Sequence, residues 1–305
     1  MQSTFPKSRA KRSQRSVLLA FMGAFIALLV LLSACGSAPA ATGGTTSAKP
    51  SVAPPNDLIT PGTLTIGSDT TYPPQEYIDT ATGHAAGFDV DLINAIAARM
   101  GLKPLVVTAK FDSIIESLSA KRFDVVISAI TSTPDRQKKA DFVPYFNAGE
   151  SLLVQSGNPK NIKSVSDLCG MEVGVQNGTV EQTDLQTASD ACKKANKPQI
   201  SVTVLQDQTA VIQLLATNRV VATYQDSPVT DYYLKQKPGR FEVGGSVVNA
   251  AVEGIAVRKG DTAMFNAVKA ALDAVKADGT YHSLIVKWGL TSGAIAAVDR
   301  RTFFA

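Results

Sequence analysis

The strongest constraint on this chain is an alternation of strand and helix that runs through five elements and then begins again. The pattern predicts strand Thr63–Ile66 and helix Phe88–Met100, the latter from Phe88, Leu92, Ile96 and Met100 with Ile93 and Ala97 alongside. Strand Leu105–Thr108, helix Asp112–Ala120 and strand Asp124–Ser128 follow. After Ser156 the series returns: strand Met171–Val175, helix Thr179–Lys194, strand Ser201–Leu205, helix Gln208–Asn218 with Val211, Leu214 and Leu215 inward, and strand Val220–Tyr224. Such an order calls for open, mostly parallel sheets covered by helices. Two apolar extended stretches, Glu150–Gln155 and Ala250–Val257, set the series apart, and beyond them only helices are predicted, Asp261–Ala277 and Thr280–Lys287. The chain is therefore expected to leave one lobe, build a second and return: an α/β protein of two open sheets joined by a two-strand hinge, with a cleft between. Lobe 1 is expected at 57–149 plus 251–305 and lobe 2 at 150–250.

The N-terminus has a different character. Residues 1–34 hold five basic residues and no acidic one, and without them the formal charge of +4 becomes 25 basic against 26 acidic residues. The basicity thus belongs to one segment, which removes the main support for nucleic-acid binding. An apolar run from Val17 to Leu32 follows the basic residues and precedes Ser33, Ala34 and Cys35, the order of a signal peptide. Sixteen helical residues rise roughly 24 Å, short of a ~30 Å hydrocarbon core, so a signal fits better than a permanent span. Leu32-Ser33-Ala34-Cys35 resembles the lipobox of bacterial lipoproteins, which implies cleavage before Cys35 and its modification by diacylglycerol and palmitate. Several acyl chains on one residue anchor stably where one is marginal. Gly36–Asn56, rich in Ala, Ser, Thr, Gly and Pro, is expected to be a disordered tether, so that residues 35–56 anchor and space the folded part.

Ligands of open α/β sheets bind beyond the carboxyl ends of the strands. There the chain places Asp69 through Pro74, Ser128-Ala129-Ile130-Thr131 leading to Arg136, Gln176-Asn177-Gly178-Thr179, and Gln225-Asp226. An arginine, at least two acids, hydroxyls and an aromatic ring suit a small zwitterion, since guanidinium grips a carboxylate with two parallel bonds and a carboxylate accepts from an ammonium.

Four stretches, Gly67-Ser68-Asp69-Thr70-Thr71-Tyr72-Pro73-Pro74, Gly87-Phe88-Asp89-Val90-Asp91-Leu92, Phe123-Asp124-Val125-Val126-Ile127-Ser128 and Val173-Gly174-Val175-Gln176-Asn177-Gly178-Thr179, resemble the family 3 extracellular solute-binding proteins, the polar amino-acid receptors of ABC importers. The resemblance covers residues 60–290 and implies a two-lobed, type II periplasmic-binding-protein-like fold. It implies that Arg136 receives the ligand α-carboxylate, assisted by Thr131 and Thr179, that Asp226 pairs with the α-ammonium, and that Tyr72 stacks on the ligand side chain. Asp69 would approach the far end of that side chain, with Gln176 and Glu181 lining the cleft from lobe 2 and Ser128 beside them. Ala129 stands where Gly or a small polar residue is common, though its carbonyl can still accept an ammonium proton.

Other readings stay open for several of these. Arg136 lies in the basic run Arg136-Gln137-Lys138-Lys139 and also fits a surface position, Tyr72 before two prolines fits a turn aromatic, Asp226 fits a helix cap, and Glu181 on a first helical turn fits solvent. Asp89 and Asp91 are expected as capping and surface charges. His84 and His282 lie 198 positions apart with no metal-ligand spacing, so neither metal nor cofactor is expected. With Cys35 lipidated, an exported domain that keeps only Cys169 and Cys192 most simply forms one disulfide, of about 24 residues, worth roughly 3.5 kcal/mol by chain entropy.

The function expected is a monomeric, non-enzymatic receptor, lipid-anchored on the extracytoplasmic face of the bacterial cell membrane, that binds a polar or charged L-amino acid and delivers it to an ABC transporter permease. The alternatives are a cyclohexadienyl dehydratase-like enzyme on the same scaffold and a ligand-sensing lipoprotein.

Overall fold

The computed structural model describes residues 50–295. Its first strand, β1 (Thr63–Ser68), is buried along all but its first residue because it pairs on both sides, with β5 (Lys103–Thr108) and β6 (Val125–Val126), both parallel. Between β1 and β5 lie a small antiparallel sheet of β2 (Thr71–Tyr72), β3 (Glu76–Ile78) and β4 (Ala85–Ala86), and then helix α1 (Phe88–Arg99). Helix α2 (Ile114–Ser119) leads to β6, and α3 (Pro134–Gln137) to the 16-residue strand β7 (Ala140–Gln155). The second series is β8 (Glu172–Gln176), α4 (Val180–Lys194), β9 (Ser201–Leu205), α5 (Gln208–Ala216) and β10 (Ala222–Asp226). It continues with α6 (Ser227–Gln236) and β11 (Phe241–Val243), returns through β12 (Val248–Arg258), and ends in α7 (Thr262–Ala277) and α8 (Thr280–Trp288).

The strands order as β5-β1-β6-β12-β7-β10-β8-β9, with β11 also on β7. Two parallel triplets, one per lobe, flank an antiparallel pair of long strands. Strand β7 pairs with β12 from Ala140 to Glu150, then with β10 from Glu150 to Val154, so one unbroken strand serves both lobes. It begins ten residues before the extended stretch read from the sequence. Along it Asp141, Pro144 and Asn147 face outward at every third position, which erases the two-residue alternation that marks a strand. Pro144 sits beside the register shift between Glu253 and Gly254, where a missing N–H is tolerated.

Each lobe is packed on both faces of its sheet. In lobe 1, α1, α7 and α8 cover Leu64, Ile66, Val125 and Val257, and α2 closes the other face with Ile114, Ile115 and Leu118 around Phe123. In lobe 2, α4 lays Leu185 and Cys192 on Val173 and Val175, while Ile212 and Leu215 of α5 meet Leu153. Fully burying one such side chain contributes about 1.5–3 kcal/mol. Cys169 and Cys192 form a disulfide with Cα atoms 5.6 Å apart, tying the end of α4 to the chain before β8.

Two expectations are corrected. Asp89 is fully buried and not a surface charge: its Oδ2 accepts from the Tyr145 hydroxyl at 2.6 Å and from the Ala129 N–H at 3.0 Å. It is held inside because α1 starts against the β2–β3 turn, at Gly87 (φ 131°), where a Cβ would stand 2.1 Å from the Gln75 oxygen. Asp91 does face outward, to Lys287 and the Trp288 indole. The segment expected to be a disordered tether is attached at its end, since the Ser51 and Val52 N–H groups donate to the Arg99 carbonyl, Val52 packs on the lobe 1 core and Pro55 is buried. Val52 is the one large apolar residue of that segment, and the core offers it a site. The signal peptide, Cys35 and the rest of the tether lie outside the described residues. No helix among the described residues is long and apolar enough to cross a membrane.

Candidate ligand-binding cleft

The facing ends of the two lobes enclose a small cavity lined by Tyr72, Phe111, Ser128, Ala129, Thr131 and Arg136 of lobe 1 and Thr179, Val180, Glu181 and Asp226 of lobe 2. Eight of the ten residues singled out in the sequence are thus brought together. The other two, Asp69 and Gln176, lie beside the cavity and hold each other across the lobes, Gln176 Nε2 donating to Asp69 Oδ2 at 2.6 Å. Asp69 Oδ1 accepts from the Thr71 hydroxyl, and Gln176 Nε2 also reaches the Gln206 carbonyl.

The lobe 1 wall is the turn after β6. Ala129 has φ 45°, a left-handed conformation that costs a residue with a Cβ, which gives a physical reason for Gly at this place. The turn is pinned from behind: Asp89 holds the Ala129 N–H, and the Ser128 hydroxyl accepts from the Asp69 N–H at 2.8 Å while donating to Glu76 at 2.9 Å. Glu253 of β12 lies in the same buried layer, bonded to the Gln75 amide at 2.5 Å. Burial raises the Glu76 and Glu253 carboxyls well above the usual range, and neighbouring acids add to it.

Arg136 reaches in from α3. Its guanidinium donates to the Thr131 carbonyl at 2.9 Å and across the cleft to the Gly178 carbonyl at 3.0 Å, and it lies 5.3 Å from the centre of the Phe111 ring. Gly178 (φ 80°) is required there, since a Cβ would come 2.7 Å from the Asp112 backbone. Burial lowers the Arg136 pKa, with Glu181 and Asp226 opposing.

In lobe 2, Thr179 caps α4, its hydroxyl accepting from the Gln182 N–H and donating to the Gln176 carbonyl. The cap turns Glu181 inward: it is 1% exposed and faces the cavity, not solvent. Asp226 closes β10 and precedes α6 without a capping bond from its side chain, which instead accepts from the Tyr72 hydroxyl at 2.8 Å. Burial raises the Asp226 carboxyl to about 6, opposed by Tyr72 and Arg136, and raises Glu181 well above the usual carboxyl range, with Asp226 and Glu150 adding to it. Asp69 is likewise pushed up to about 6 by burial.

Phe111 and Val180 line the cavity without having been singled out. Phe111 follows β5, so the strand-end rule applied to that strand as well would have found it. Among the described residues no group of three or more His, Cys, Asp or Glu side chains is arranged to hold a metal. One guanidinium and two carboxyls drawn from opposite lobes can hold a carboxylate and cationic groups together.

The profile of the bacterial extracellular solute-binding proteins, family 3, matches residues 64–291. The L-cystine-binding protein TcyJ of Escherichia coli (strain K12) is 32% identical over 228 residues, 74% of this chain and 82% of that protein. An ancestral arginine-binding protein bound to arginine has a similar structure, with a TM-score of 0.68 and 38% identity over 74% of this chain and 98% of that one. AncCDT-1, an ancestral amino acid-binding protein and precursor of cyclohexadienyl dehydratase, gives a TM-score of 0.64 and 36% identity over 74% and 95%. The chain belongs to the bacterial extracellular solute-binding proteins, family 3.

Proposed function

We propose that this protein is a membrane-tethered extracytoplasmic receptor that binds an L-amino acid between its lobes and presents it to an ABC importer. The observation that carries this reading is the placement of Arg136 and Asp226 on opposite lobes of one buried cavity. Arg136 would take the α-carboxylate and Asp226 the α-ammonium, exchanging their present partners, Gly178 and Tyr72, for the ligand. The cavity has a volume of about 10 Å³, room for roughly one water, so entry requires the lobes to part. Strands β7 and β12 supply the hinge between one lobe of residues 57–149 plus 251–295 and another of residues 150–250. A ligand that touches both lobes binds the closed form more tightly and shifts the equilibrium toward it.

Glu181 narrows the ligand class. With Asp226 satisfied by the α-ammonium, a second buried carboxyl favours a ligand with a second cationic group. Arginine, lysine and cystine have one, whereas glutamine and glutamate do not. Calorimetric titration with these five amino acids tests the reading: micromolar binding of one of the first three supports it, and no heat from any amino acid overturns it. The N-terminal signal peptide and the lipid on Cys35 belong to the same proposal and are tested by mass spectrometry of the membrane-extracted protein.

A dehydratase reading draws on Glu181 as a buried acid and on the likeness to AncCDT-1. Turnover of prephenate or arogenate by the purified protein would favour it over the receptor.

A further inference from the structure

Lobe 2 holds a second cavity of about 480 Å³ that shares no lining residue with the cleft. It lies between α4, the turn before β8 and the start of β12. Its wall is largely apolar, formed by Leu152, Val165, Ala188, Ala191 and Val248, and its size falls within the ~300–1,000 Å³ typical of small-molecule sites. One end is polar, with Asp184, Tyr224 and Asn249. Tyr224 is 2% exposed, and its hydroxyl, close to Glu150, has no partner in hydrogen-bond geometry. The Asn249 amide N–H groups are spent on Asp184 at 2.8 Å and Glu150 at 3.4 Å. Beside these bonds the polar end offers the Asp184 carboxylate and the Tyr224 phenol, both able to accept. Lys163, the one cation among the lining residues, is exposed to solvent.

We propose that this cavity is a second ligand site, for a small primary ammonium with an apolar body. The ammonium donates to the Asp184 carboxylate and the Tyr224 hydroxyl, and its hydrocarbon lies along the small-residue face of α4 against Leu152 and Val165. The site serves a chemistry different from the cleft, since it lacks a guanidinium to take a carboxylate and so disfavours zwitterions.

The test is calorimetric titration of the full chain with 2-phenylethylammonium, and with 2-phenylethanol as its neutral counterpart. The expected result is saturable one-to-one binding of the amine with Kd below about 1 mM, and binding at least about tenfold weaker for the alcohol. Asp184→Asn should weaken the amine about tenfold, and Ala188→Trp, which fills the cavity, should abolish it. Arg136→Ala, which disables the cleft, should leave the amine's affinity unchanged, so failure here is distinguishable from failure of the amino-acid reading. Melting curves of each variant verify that it folds. The proposal is overturned if the amine gives no heat, if it binds Ala188→Trp as it binds the parent, if the alcohol binds as tightly, or if Arg136→Ala removes the binding.

Discussion

The Tyr72 hydroxyl donates to Asp226 Oδ2 at 2.8 Å and accepts from the Asp226 N–H at 3.1 Å, so one side chain of lobe 1 satisfies both the carboxyl and the backbone of its partner in lobe 2. Tyr72→Phe removes both bonds and leaves a buried carboxyl and an N–H unpaired, a cost of about 1–3 kcal/mol to the closed form without ligand. The free variant should therefore be more open, and small-angle scattering should give it a larger radius of gyration than the parent. Identical scattering curves would show that this pair does not hold the lobes.

Arg136→Ala should weaken amino-acid binding by about one to two decades, the loss of a charge-assisted contact of about 1.5–3 kcal/mol. Arg136→Lys keeps the charge but loses the planar fork that can hold the Thr131 carbonyl and the ligand together, so it should recover only part of the affinity. Full recovery with Lys in calorimetry would mean that charge alone is used.

Glu181→Gln tests the assignment of a second cationic group. It should weaken arginine, lysine or cystine, whichever binds, by about tenfold or more and leave glutamine no worse, a change of preference read by competition.

Acid should act on stability and on binding with opposite signs. The Asp69 and Asp226 carboxyls are raised from 3.8 to about 6 by burial, so between these values the folded protein holds protons that the unfolded chain has released. Their contribution to stability is therefore greatest at the acid end and falls as pH rises through that window. Binding of an ammonium at Asp226 needs the ionised form, and affinity should fall as pH drops below about 6. Melting temperature without ligand and Kd, measured on one series of buffers between pH 4 and 7, should show the melting contribution of these groups rising toward acid while binding weakens. An affinity that does not change across pH 6 would remove Asp226 as the ammonium partner.

Reduction of the Cys169–Cys192 bridge, or the double serine variant, should lower stability by roughly 3.5 kcal/mol. For a domain of this size that corresponds to about 7–14 °C in melting temperature. Because the bridge lies at the far end of α4 from Glu181, amino-acid affinity measured at low temperature should be retained.

What could be read from the sequence was local. The strand and helix series, and the cavity residues that follow β1, β6, β8 and β10, show in short-range patterns: apolar spacing gives the elements and strand ends give the site. Strands β2 to β4 have only two or three residues each, too few for any period to register. The burial of Asp89 depends on Tyr145, 56 positions away, and the Tyr72–Asp226 pair spans 154 positions. An acid at the start of a helix looks the same in sequence whether it caps the helix in solvent or points into a core. Glu181 shows the same limit, since the direction of its helix, fixed by the Thr179 cap and by packing on β8, decides between solvent and cavity.

Strand β7 leaves lobe 1 and β12 returns to it as neighbours, with Glu150 opposite Val248, so the two crossings lie about one strand spacing, ~5 Å, apart. Everything between them is one continuous stretch of chain, and it carries its half of the cleft, Thr179, Glu181 and Asp226, together with its own core and disulfide. Such a unit is a cassette: it can be exchanged between related chains at two adjacent junctions without rethreading the other lobe. Recombination has in this arrangement a ready means of altering what is bound while leaving the arginine side of the cleft in place.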